Sequence, residues 1–263
     1  MSEAVRVEDR GAYHVITLNR PEKMNAIDRP TSNALIAALS AAEESPACRA
    51  VLLTGTGRGF CTGADLTSVV AVPGEKRDLG KVIEEGWNPL ARKLKNLSVP
   101  TVCAVNGIAA GAGSSLALGC DIVIAARSAK FLQAFARIGL VPDCGGTFLL
   151  PNLAGQARAR GMAMLAEPVS AETALAWGMI WAVAEDAALM EEAEAIAARL
   201  AAMPTQSLVM IRHALNAAAH NSFDAQLDLE RDTQRRAGYT PDHAEGVQAF
   251  REKRPAVFTG AIR

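Results

Sequence analysis

Asn106-Gly-Ile-Ala-Ala-Gly-Ala-Gly-Ser-Ser-Leu-Ala117 is the stretch whose reading decides the fold. It follows an apolar run, Pro100-Thr-Val-Cys-Ala-Val105, which predicts a buried strand. It leads into Leu116-Ala-Leu-Gly-Cys120, which continues in helical character. Small residues therefore cluster where a strand ends and a helix begins. Glycine lets backbone approach a ligand closely, because no Cβ stands in the way. The first amides of a helix lack intrahelical partners and carry positive potential. Such an end suits an anion or a carbonyl oxygen that gains charge. Plain strand-to-helix packing through glycine explains the same residues equally well.

A second stretch shifts that balance. Arg58-Gly-Phe-Cys-Thr-Gly-Ala-Asp-Leu66 follows another apolar run, Ala50-Val-Leu-Leu-Thr54. Two strand ends of this kind can each supply one backbone N–H to the same oxygen, the geometry of an oxyanion hole. With Asn19-Arg-Pro-Glu-Lys-Met-Asn-Ala26, Phe60-Cys-Thr-Gly-Ala-Asp65, Asn106–Gly113 and Phe250-Arg-Glu-Lys-Arg-Pro-Ala-Val-Phe258, the chain resembles the crotonase, or enoyl-CoA hydratase/isomerase, superfamily along nearly its full length. The resemblance implies an α/β crotonase fold, a spiral of repeated ββα turns with a C-terminal helical trimerisation element. It implies an acyl-CoA site in a core over 1–203 and an oligomerisation region over 204–263, giving a homotrimer or a dimer of trimers. Coenzyme A would enter as part of the substrate, with no separate cofactor.

Bulk properties set limits consistent with this. The 263 residues suffice for one large domain, or one with a smaller appendage. Half are hydrophobic (50%), which suits a globular chain with a sizeable core. A net charge of −1 and a pI near 6.4, without a basic stripe, argue against nucleic acid and anionic membrane as partners. The charged start, Met1 to Arg10, does not read as a signal sequence, and no run of about 18 apolar residues suggests a spanning helix. Five scattered cysteines, 48, 61, 103, 120 and 144, lack C-x-x-C spacing. They read as reduced thiols in a cytoplasmic protein without a zinc site. The histidines show no metal-ligand spacing.

Along the chain, Val5–Leu18 predicts a hairpin around Asp9-Arg-Gly11. Asp28 is a candidate N-cap with Pro30 in the first helical turn. Residues 67–86 read as a mobile loop running into a helix over Trp87–Leu97. Strands are expected at 121–126 and 129–132, and Ser170 as the cap of Ala171–Ala176. A helix over Ala187–Met203 stops at Pro204. Amphipathic helices then follow over Gln206–Ala219, Asp224–Ala237 and Pro241–Arg254.

The candidate chemistry centres on Asp143, in Ile138-Gly-Leu-Val-Pro-Asp-Cys-Gly-Gly-Thr147. It could cap the next helix. By resemblance it matches a catalytic aspartate of several relatives. The two glutamates of crotonase-type hydratases fall at Ser115 and Phe135, so hydration is not expected. A single carboxylate suits isomerisation: it takes a proton alpha to the thioester and returns it farther along the conjugated system. Gly139–Pro151, Ser170–Trp181 and Gln226–Asp232 are similar to the branch of the family that isomerises the ring epoxide of phenylacetyl-CoA. Fatty enoyl- or dienoyl-CoA isomerisation and acyl-CoA binding without turnover remain alternatives. Ile138, Leu140, Val141 and Phe148 are expected to desolvate Asp143.

The oxyanion amides carry over to Ala64 and Ala112. Lys23, Ala26, Ala64, Asp65, Leu66, Gly111, Phe250 and Lys253 are the candidate substrate and coenzyme A contacts. Asp65 could instead cap a following helix, the lysines could be plain surface residues, and Phe250 could pack on its own helix. Cys61 and Cys144 read as small apolar fillers.

Overall fold

The computed structural model describes residues 3–67 and 78–260. Val5–Asp9 (β1) and His14–Leu18 (β2) form the expected antiparallel hairpin, with Val5 opposite Leu18. Helix α1, Arg29–Glu44, begins at Asp28, whose carboxylate accepts from the Thr31 N–H at 2.9 Å. Its apolar face, Leu35, Ala38, Leu39 and Ala42, is buried. Burial of each Leu side chain contributes roughly 1.5–3 kcal/mol.

From Val51 the chain winds as a spiral. Each turn gives one strand to each of two sheets and then a helix. Val51–Gly55 (β3) and Gly59–Cys61 (β4) make the first pair. Leu79–Val82 (α2) follows, then a π-helical turn over Ile83–Trp87, then Asn88–Lys95 (α3). The expected single helix over Trp87–Leu97 is thus shorter at both ends and is entered through the wider turn. Pro89 stands at its start, where a missing N–H is tolerated. Of the expected mobile loop over 67–86, residues 68–77 lie outside the described residues.

Thr101–Val105 (β5) and Ile108–Ala110 (β6) form the second pair, followed by Ala112–Leu118 (α4). The short strand β6 inside the small-residue stretch has no pattern of its own in the sequence. Ile122–Ala126 (β7) and Lys130–Leu132 (β8) make the third pair, and Gly146–Ala154 (α5) and Gln156–Leu165 (α6) follow. Val169–Ser170 (β9), Ala171–Ala176 (α7), Ala182–Ala184 (β10) and Leu189–Ala201 (α8) complete the core. The sheets run β1-β2-β3-β5-β7-β10 and β4-β6-β8-β9. Pairing from β2 through β10 in the first sheet is parallel, and so is β4-β6-β8 in the second. Parallel sheets need cover on both faces, which explains why β3 and β5 are apolar runs rather than alternating ones.

Beyond Pro204 the chain is helical: Thr205–Ala218 (α9), Phe223–Gly238 (α10) and Pro241–Glu252 (α11). Arg212 ties α9 to the core through Asp121 at 3.0 Å and the Leu97 carbonyl. Arg49 donates to the Phe258 carbonyl at 2.7 Å. No described helix is long and apolar enough to cross a membrane.

Candidate active site

The Ala64 loop is fixed by the Asn19–Ala26 motif and the residue after it. The Ile27 N–H donates to the Gly63 carbonyl at 2.7 Å, and the Asp65 N–H to the Ile27 carbonyl at 2.9 Å. These bonds bracket Ala64 and leave its own N–H without an acceptor among the described residues. Asn25, at φ 56°, threads its amide between the Thr56 and Gly59 carbonyls at 2.9 and 2.7 Å. Asparagine tolerates this left-handed backbone better than most residues. Next to Ala64, the Asp65 carboxylate meets Arg20 at 2.9 Å and Lys23 at 2.8 Å. The Lys23 ammonium, the Thr67 hydroxyl and the Arg20 guanidinium hold Asp65 well below the usual carboxylate range. Asp65 therefore ties the loop to Arg20, and Lys23 is engaged by it. Arg20, which the sequence did not mark, also donates to the Ala26 carbonyl at 2.7 Å and pairs with Asp28. Leu66 stands exposed beside them.

The second loop lies directly against the first. A Cβ on Gly63 would sit 3.2 Å from the Ala112 nitrogen, and one on Gly113 would collide with the Cys61 carbonyl. Only glycine permits this approach. Gly111, at φ 54° and ψ −130°, turns the chain from β6 into α4 and donates to the Leu132 carbonyl at 2.8 Å. Ala112 needs no positive φ, so the alanine there is unstrained. As the first residue of α4 its N–H has no intrahelical partner. Because α4 spans only seven residues, the individual amides, rather than a long helix dipole, set the local potential.

Asp143 sits in a turn closed by the Gly146 N–H donating to the Asp143 carbonyl at 2.9 Å. Cys144 (φ 51°) and Gly145 (φ 82°) are both left-handed. Helix α5 starts at Gly146 and has no side-chain cap, so Asp143 caps nothing. Its Oδ1 is buried without a hydrogen-bond partner among the described residues. Burial pushes the carboxyl up to about 6, partly offset by its own backbone N–H. The expected source of that burial needs correction. Ile138, Leu140 and Val141 are exposed (55%, 40% and 78%), because the segment turns outward ahead of Asp143. Phe148 is half-buried, beside Lys95 and His220. Burial also raises the Cys61 thiol, to about 12, and the Cys144 thiol, so both stay protonated near neutral pH.

Two cavities flank this region. One of about 450 Å³ runs from Ile27–Pro30 past Ala64 and Asp65 to Glu85–Trp87. The other, about 660 Å³, is mostly apolar and lies between α3, α4, α5 and α9; Ser115, Cys144, Gly145 and Phe148 form one end. A larger cavity, about 1100 Å³, lies among α9, α10 and α11 and includes Phe250. It shares no lining residue with the Ala64 cavity. Lys253, left-handed at φ 55°, is exposed at the end of the same helix. Among the described residues no group of three or more His, Cys, Asp or Glu is placed to hold a metal.

The two-sheet spiral, the abutting loops and the buried acid together belong to one class of enzyme. The enoyl-CoA hydratase/isomerase family model matches residues 8–261, and the chain is a member of that family of acyl-CoA enzymes. It is 52% identical over 246 residues to the 1,2-epoxyphenylacetyl-CoA isomerase of Escherichia coli, which spans 93% of this chain and 94% of that one. It is 46% identical to a Rhodobacter capsulatus protein named as an enoyl-CoA hydratase, over 97% of this chain and 98% of that one. The crystal structure of an enoyl-CoA hydratase from a Polaromonas species superimposes with a TM-score of 0.92 at 34% identity, covering 97% of this chain and all of the other (100%).

Proposed function

We propose that this protein is an acyl-CoA isomerase acting on 2-(1,2-epoxy-1,2-dihydrophenyl)acetyl-CoA. Asp143 takes the proton alpha to the thioester, and the Ala64 and Ala112 N–H groups hold the enolate oxygen. As the electrons move through the conjugated system, the same carboxyl returns its proton at a more distant atom. The observation that carries this reading is the half-buried Asp143, whose Oδ1 is buried without a hydrogen-bond partner among the described residues and whose carboxyl is raised to about 6. A base that titrates near working pH transfers protons efficiently. The identity to the Escherichia coli isomerase supports the ring-epoxide substrate.

The hydratase name of the other relative is weighed against Ser115 and Phe135, neither of which can ionise near neutral pH. We therefore expect negligible 2-enoyl-CoA hydration. Lys23, Ala26, Asp65, Leu66 and Gly111 border the thioester end of the site in this reading. Phe250 and Lys253 would meet coenzyme A only through a neighbouring copy. The exposed apolar side chains of α9 to α11 support a trimer or a dimer of trimers, and a monodisperse monomer at micromolar concentration by light scattering would contradict it. The deciding experiment compares turnover of the epoxide thioester, 3-hexenoyl-CoA and a 2-enoyl-CoA with water. Faster turnover of 3-hexenoyl-CoA would move the substrate to fatty acyl chains. Hydration with kcat of about 10 s⁻¹ would overturn the isomerase reading, and binding without any turnover would leave an acyl-CoA carrier.

A further inference from the structure

The Gly63 carbonyl and the Ala64 N–H belong to one peptide unit, and among the described residues no peptide bond is cis. The two groups therefore point in opposite directions within one plane. Whatever holds the Gly63 carbonyl sets the direction of the Ala64 N–H, and the holder is the Ile27 N–H at 2.7 Å. The same argument applies one unit further back. The Ile27 N–H shares its peptide with the Ala26 carbonyl, which accepts from Arg20 Nη1 at 2.7 Å. A guanidinium thus starts a run of two hydrogen bonds, through two peptide units, that ends on the Ala64 N–H. Hydrogen bonds in series polarise one another, so the terminal N–H becomes a better donor.

The other arm of the guanidinium reaches the residue after Ala64: Nη2 donates to Asp65 Oδ2 at 2.9 Å. One planar, forked group therefore holds Ala64 from both sides, a task a lysine could not share between two acceptors. Arg20 is itself fixed. Its N–H donates to Asn25 Oδ1 at 2.8 Å, its carbonyl accepts from the Asn25 N–H at 2.9 Å, and its side chain is 15% exposed. Asp65 and Asp28 meet its charge. An ion pair serving stability alone would be complete without the bond to the Ala26 carbonyl.

We infer that Arg20 is a positioning residue, which aims and polarises the Ala64 N–H toward the thioester oxygen through the Ala26–Ile27 and Gly63–Ala64 peptides. The inference rests on the reading that Ala64 holds that oxygen. A preorganised donor stabilises the transition state only when it points to where charge develops, and losing one costs about 10²–10³-fold in kcat.

The experiment records the thioester carbonyl band of bound phenylacetyl-CoA, isotopically labelled at that carbon, by infrared difference spectroscopy. In the wild-type protein the band is expected below its position in the free thioester, as for a carbonyl that accepts strong hydrogen bonds. Arg20→Lys keeps the charge without the fork, and Arg20→Gln keeps a single donor without the charge. In both the band should move back toward the free position, and kcat for isomerisation should fall about 10-fold or more with KM little changed. Asp28→Asn removes the Arg20 partner that lies outside the run, keeps a good helix cap, and should leave the band where it is. Thermal melts of the ligand-free variants supply the folding readout. A second measurement needs no variant: on binding phenylacetyl-CoA, the Ile27 and Ala64 amide protons should move downfield together in the nuclear magnetic resonance spectrum. A band still fully lowered in folded Arg20 variants, an equal return of the band in Asp28→Asn, or an Ala64 amide that moves without Ile27 would overturn the inference. A wild-type band at the free position would overturn the reading that Ala64 holds the oxygen, and this inference with it.

Discussion

Asp65, buried next to Ala64, and Asp143, half-buried in its turn, are treated in opposite ways. Asp65 is surrounded by Arg20, Lys23 and Thr67, and its charge is fully met. The Asp143 Oδ1 has no partner among the described residues, and burial pushes its carboxyl toward neutrality. The same functional group is thus a fixed strut in one loop and, in the mechanism proposed above, the proton carrier in the other. What separates them is the supply of cations, because desolvation acts on both.

Substitution at the two positions should break the comparison most sharply. Asp143→Asn keeps the shape and removes the base. It should lower kcat for isomerisation by about 10²–10⁴-fold, while acyl-CoA still binds through Ala64 and Ala112. An Asn variant isomerising near the wild-type rate would mean that Asp143 carries no proton. Asp65→Asn should act on the fold instead. It leaves Arg20 and Lys23 facing an uncharged amide, at a cost of about 3 kcal/mol, read as a lower urea midpoint. Asp65 has a depressed folded pKa, so its contribution exists above the unfolded carboxyl range and is lost as pH falls below it. The stability difference between wild type and Asp65→Asn should shrink in acid accordingly.

Asp143 should show the opposite sign. Its folded pKa, about 6, lies above the unfolded value of 3.8. Below the unfolded value both states are protonated and no difference exists. As pH rises toward 6 the unfolded chain ionises first, so the folded state loses ground, and above 6 the penalty is constant. A rise of about two pKa units corresponds to up to about 3 kcal/mol. Asp143→Asn should therefore be more stable than wild type at pH 8 and equal to it near pH 3.5. An unchanged difference across that range in chemical denaturation would contradict the desolvation account. The smallest effect is kinetic: kcat/KM for isomerisation should fall about tenfold per pH unit below pH 6, as the free base is titrated. A flat profile down to pH 5 would place the titrating group elsewhere.

Much of this was legible in the chain. The Asp28 cap, the hairpin, the apolar parallel strands and the glycine clusters at their ends are local signals, and each lies where its pattern put it. The spiral itself came from resemblance to the family rather than from periodicity. Two features escaped local reading for a physical reason. Arg20 finds Asp65 across 45 residues, and nothing near either one marks the pairing. The apolar neighbours of Asp143 in sequence suggested a dry wall, yet Ile138, Leu140 and Val141 face outward. Burial of Asp143 is a property of how its turn is seated, with Ser115 and Gln133 close beneath Gly146, and so of contacts distant along the chain.

The winding of the two sheets also sets a timetable for synthesis. The ends of β4, β6 and β8 stand side by side, but they leave the ribosome tens of residues apart, and Asp143 follows the last of them. Parallel pairing must wait for each later strand, which makes such folds slow to complete. Arg20, Lys23 and Asp65 leave the ribosome well before Asp143 has been translated. The residues of the strut are thus made first, and the residue proposed to carry the proton comes later in the chain.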